Sequence, residues 1–165
     1  MCSLCHTYSN LNTERLTHGT VFQPQNITME LHTEKYNEST YNRPEGMRTL
    51  DAPVVRINIP DYVRQIKDEK AWENGDRNAI TLLHNEYMRI VLIALKEGVE
   101  MSHAVDGAIS IQVLDGRLWV ETEAQSFSVD EEEIAALQPQ LRHYIYAEEE
   151  TVFLLTLAGN SDGEF

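Results

Sequence analysis

From Ala79 to Ala158 the chain is a succession of short apolar segments, each closed by a turn signal, with no helix-length periodic stretch among them. An amphipathic helix needs roughly ten residues of 3.6-residue period, whereas a strand needs only about four to eight. Ala79–Leu83 is short and apolar, and Tyr87–Leu95 carries the run MRIVLIAL between Asn85-Glu86 and Lys96-Glu97-Gly98. Ile109–Leu114 runs into Asp115-Gly116, a hairpin signal, and Arg117–Glu121 returns. Gln125–Val129, Ile134–Leu137, His143–Tyr146 and Thr151–Ala158 follow, separated by acidic turns and by Pro139. Short strands at this spacing predict a mainly β domain, a sandwich or barrel.

The segment before Ala79 reads differently. Val55, Ile57 and Ile59 alternate with polar residues and predict a half-buried strand that Pro60 ends. Pro60 suits the first turn of a helix, and Tyr62, Val63, Ile66 and Lys70 keep helical spacing. Asn74-Gly75-Asp76 is a turn, and Trp72 is placed to cap one end of a barrel. Residues 1–50 are polar with neither period, and Asn42-Arg43-Pro44-Glu45-Gly46 is a linker signal. The expected organisation is a loosely ordered extension over 1–50, one domain over 51–160 and a tail over 161–165, with Met29 as a second possible start.

A chain of 165 residues with 42% hydrophobic content supports one core. The formal net charge of -14 argues against nucleic acid and against anionic membranes, because both require a basic face. No run of about 20 apolar residues is present, and no apolar segment follows Met1, so a cytoplasmic location is expected. Cys2, Cys5 and His6 have the C-x-x-C-H spacing of a c-type haem site. Without an export signal no haem is expected, and the two thiols read as exposed and oxidisable. Nucleotide-binding glycine loops and a G-x-S-x-G nucleophile elbow are both absent from the sequence.

The stretch HAVDGAISIQVLDGRLWV, residues 103–120, resembles the first motif of the cupins, G-x5-H-x-H-x3–4-E-x6-G. Gly98 and Gly116 stand near the two glycine positions and His103 at or beside the first histidine. The second histidine position falls near Val105 and the glutamate near Ile109, both apolar. Pro139 and His143 match the second motif, G-x5-P-x-G-x2-H-x3-N, with Gln140 or Leu141 in place of its glycine and Ala147 in place of its asparagine. The likeness covers roughly residues 78–158. It implies an RmlC-like jelly-roll barrel, a double-stranded β-helix, with one short helix before it. Metal-binding cupins are expected to use three histidines and a glutamate, of which only His103 and His143 correspond here. The resemblance therefore implies no native metal. Its alternative is a single Fe, Mn, Ni or Zn ion on His103 and His143, helped by His84, Glu100 or Asp106.

The resemblance implies that Ile109, at the glutamate position, points into the barrel; alternation then sends Ile111, Val113, Leu118 and Val120 inward, with Phe153 and Leu155 in a candidate inner row and His103 and His143 near one end. Such a wall suits a small organic ligand or a filled core. The expected function is binding of a small molecule without catalytic metal. The alternatives are a metal-dependent oxygenase or isomerase using the two histidines, and a degenerate barrel serving as an interaction module. Outward Gln112, Trp119 and Tyr144 predict a partner surface, and a homodimer is the expected state.

Overall fold

The computed structural model describes residues 34–41, 43, 46–103 and 106–159, with the side chain of His103 outside that set. The elements are β1 (Lys35–Asn37), β2 (Arg48–Asp51), α1 (Ile59–Asp68), α2 (Lys70–Asn74), β3 (Arg77–His84) and β4 (Met88–Leu95). They continue with β5 (Glu100–His103), β6 (Ala108–Asp115), β7 (Leu118–Thr122), β8 (Ser126–Val129), β9 (Ile134–Leu137), β10 (His143–Ala147) and β11 (Thr151–Ala158). No helix among the described residues is long and apolar enough to cross a membrane.

Two antiparallel sheets face one another, one ordered β5-β10-β7-β8 and the other β3-β4-β11-β6-β9. Strands distant in sequence are neighbours in both: β11 lies between β4 and β6, and β10 between β5 and β7. This interleaving is the mark of a jelly roll rather than a meander. The β6–β7 connection passes from one sheet to the other through Asp115-Gly116. Gly116 has φ +90°, and a Cβ there would come within 2.5 Å of the Glu150 carbonyl oxygen, so the turn requires glycine.

Period-2 alternation sorts the strands into two cores. Val91, Ile93 and Leu95 of β4 face the other sheet with Ile111, Val113, Phe153 and Leu155. Leu92 and Ala94 of the same strand point outward and are covered, with Ile80, Leu82 and Val152, by Ile66 of α1 and Trp72 of α2. Burial on both faces is why MRIVLIAL is a continuous apolar run with no alternation. Trp72 therefore packs over the outer face of the five-stranded sheet, not across one end of the barrel.

The expected strand at Val55–Ile59 does not form. Residues 54–58 are irregular and have no ladder partner, and Ile57 and Ile59 pack half-buried against the outer core instead. Asn58 precedes the first helix, which Pro60 enters at its first turn. The helix expected through Lys70 is divided at Glu69, whose extended backbone ends α1 and whose carbonyl accepts the first hydrogen bonds of α2, from Trp72 and Glu73. Strand β5 was not foreseen, because Met101 is its only conventional apolar residue.

Residues 34–50, assigned by the sequence to the extension, contain β1 and all of β2 but Asp51, and the two strands pair. Between them Arg43 docks on the domain. Its Nε lies 2.7 Å and one Nη 2.9 Å from the two carboxylate oxygens of Glu69, and that Nη also donates to the Ala79 carbonyl at 2.7 Å. Asn78 and Gln65 donate to the same carboxylate at 2.9 and 2.8 Å, and Asn78 also caps the Ile66 carbonyl in the last turn of α1. The Glu69 side chain is 6% exposed. Burial pushes its carboxyl pKa up, but the hydrogen bonds from Arg43, Asn78 and Gln65 outweigh burial and hold it below the usual range. A carboxyl with a lowered folded-state pKa adds stability above its unfolded value of about 4.3. That stability is lost as pH falls through the folded value. Arg43→Gln is expected to cost about 2–3 kcal/mol in urea unfolding at pH 7. The penalty should shrink as the pH is lowered from about 5 to about 3; a constant penalty would show that Arg43 does not act through Glu69.

Candidate functional site

Among the described residues, the one ionisable side chain buried between the two sheets is on β10. His143 stands in register with His103 of β5 on one side and Thr122 of β7 on the other. Its inward setting follows from the alternation HYIYA, in which residues 143, 145 and 147 are buried and the two tyrosines are not. The ring is 1% exposed. Nδ1 lies 3.0 Å from the Leu141 carbonyl oxygen. A carbonyl only accepts, so Nδ1 carries the hydrogen, and in the neutral ring Nε2 presents a lone pair. Nε2 is buried and has no hydrogen-bond partner among the described residues. A buried acceptor without a partner costs about 1–3 kcal/mol.

The apolar positions named by alternation lie together. Ile109, Ile111, Val113, Leu118, Val120, Phe153 and Leu155 are all buried and belong to the one cluster between the sheets. Sequence reading did not single out Met101, Phe127, Ala135 and Leu141, which are partly buried and pack against that cluster. Met101 of β5 and Phe127 of β8 are in register with Ile145 and Val120, in the cross-strand row next to that of His143. The signal for them was present as alternation within two very short strands. Phe127 and Ala135 also line an open groove of about 520 Å³ between β8 and β9, the edge strands of the two sheets on this side.

The further donors considered for a metal lie elsewhere. His84 pairs with Arg89 in register on the edge strand β3, Glu100 is exposed on the outward face of β5, and Asp106 is exposed. Ile109, at the position of the family's glutamate, is 4% exposed among aliphatic side chains. Among the described residues no three His, Cys, Asp or Glu side chains are grouped to hold a metal. Transition metals take about four to six donors, and one described imidazole with an aliphatic wall does not fit that need. Cys2, Cys5, His6, Met29 and Val105 lie outside the described residues.

No protein-family model matches the sequence, and no curated protein is significantly similar to it. Solved structures do match. An RmlC-like cupin from Shewanella frigidimarina has a TM-score of 0.50 at 17% identity, over 53% of this chain and 80% of that one. A conserved protein with a double-stranded β-helix domain from Klebsiella pneumoniae has a TM-score of 0.49 at 20% identity, over 55% and 83%. An RmlC-like cupin family protein from Methanocaldococcus jannaschii has a TM-score of 0.48 at 18% identity, over 51% and 81%. Likeness at this level of identity concerns fold alone. Together with the two interleaved antiparallel sheets and the glycine turn between them, it identifies the barrel of this chain as a cupin fold, an RmlC-like double-stranded β-helix.

Proposed function

We propose that the barrel binds a small organic molecule that has an apolar body and one hydrogen-bond donor, without a catalytic metal. The observation that carries this reading is the buried Nε2 of His143, which has no partner among the described residues and belongs to a strand that borders an aliphatic wall. The ligand's hydroxyl or N–H donates to Nε2, which removes the cost of the orphaned acceptor. Its apolar part rests on Met101, Phe127 and Leu141, which are only partly buried, and enters through the gap between β8 and β9. An apolar site with one fixed polar group selects ligands by shape first and by the single donor second. Metal chemistry is the weaker reading, because Ile109 occupies the position where the family's carboxylate is expected, and Glu100 and Asp106, which might replace it, are exposed.

Phenol and toluene serve as matched probes, since they share the ring and only phenol donates. The full-length protein is expected to bind phenol about five- to tenfold more tightly than toluene, the worth of one hydrogen bond. His143→Leu should erase that preference while leaving toluene binding and the thermal midpoint nearly unchanged. Equal affinity for the two probes in the wild-type protein would sink the proposal. Metal content tests the competing reading. The purified protein is expected to contain far less than one equivalent of Fe, Mn, Ni or Zn. A stoichiometric metal that disappears in a His103→Ala/His143→Ala double variant would replace this function with a metal-dependent one.

A further inference from the structure

The outward face of the four-stranded sheet carries a cluster of aromatic rings bordered by carboxylates. In register, Tyr146 stands opposite Glu100 of β5 and Trp119 of β7, and Tyr144 opposite Ser102 and Glu121. Tyr144 is 61% exposed, Tyr146 38% and Trp119 37%, and Glu100 and Glu121 are exposed beside them. Cross-strand neighbours are about 5 Å apart, so three rings and two carboxylates form one continuous patch. The two helices lie over the other sheet.

The charges decide what this face can accept. Arg117, on the same side of β7, is paired with Asp130, and Arg77 of β3, whose Nη1 donates to the Glu100 backbone carbonyl at 3.4 Å, is paired through its side chain with Asp76. Arg142 is exposed just before β10, beyond Tyr144. Glu100 and Glu121, among the rings, have no cation paired with them among the described residues. A second copy docked here would set two surfaces of a chain of net charge -14 against one another. A cationic partner meets no such penalty. Lysine and arginine stems lie on aromatic rings while their charged heads reach carboxylates. We propose that this face docks a lysine- or arginine-rich segment of a partner protein, with Trp119 and Tyr146 as the platform and Glu100 and Glu121 as the charge partners.

An N-acetylated hexalysine amide tests this by calorimetric titration of the full-length protein. Binding should weaken as salt rises from about 0.05 to about 0.3 M. Trp119→Ala and Glu100→Gln/Glu121→Gln should each weaken it about tenfold. Glu131→Gln/Glu132→Gln removes the same charge from a remote turn and should change affinity less than about twofold, with thermal midpoints unchanged throughout. Equal losses in the two glutamate double variants, with no loss in Trp119→Ala, would mean that bulk charge alone is at work, and the proposal fails. It fails equally if hexalysine does not bind, or if sedimentation finds a wild-type dimer that Trp119→Ala dissociates.

Discussion

Strand β11 has to be buried on both sides, and the rest of the molecule is arranged to allow it. Phe153, Leu155 and Leu157 supply the inner core, while Val152 and Leu154 face outward beneath the helical layer. A sheet with one apolar face needs only a facing sheet. A sheet whose central strands are apolar on both faces needs a third layer, and α1 with α2 provides it. The helices are therefore part of what makes a central strand of this composition tolerable in water, as much as they are an approach to the barrel.

That third layer is short, and a five-residue helix such as α2 has little stability of its own. Its position depends on Glu69, where one residue ends a helix, starts the next and gathers three side-chain donors from β3, α1 and the segment between β1 and β2. Local propensity does not produce this break. Pairing with Arg43, 26 residues earlier, helps hold the extended backbone at Glu69, and tertiary contact overrides a helical pattern that would otherwise run on.

How legible the fold was in the sequence follows from the same physics. Strands β9 and β11 have the boundaries read from the sequence, because polar turns flank clear apolar runs. The Asp115-Gly116 turn was legible since only glycine tolerates that backbone. Strands β1 and β2 were not, because they are mostly polar and gain their place by pairing and by Arg48, whose Nε donates to the Thr81 carbonyl at 2.6 Å. Alternation also pointed to the inward setting of His143. It could not show that Nε2 has no partner, since a hydrogen-bond inventory depends on every neighbour and not on period. The alternation at Val55–Ile59 misled because apolar spacing on an irregular segment over a helix layer looks the same as a strand until the missing ladder partner is known.

The interleaved strand order has a consequence for biosynthesis. The central partner of both β4 and β6 is β11, the last strand among the described residues, so the five-stranded sheet cannot close while the ribosome is still adding residues before Thr151. Throughout that interval MRIVLIAL is translated and lacks one of its two neighbours, the kind of segment on which nascent chains associate. Glu86, Lys96 and Glu97 flank it closely on the two sides. They act as charged gatekeepers during the one period when the native fold cannot protect the strand.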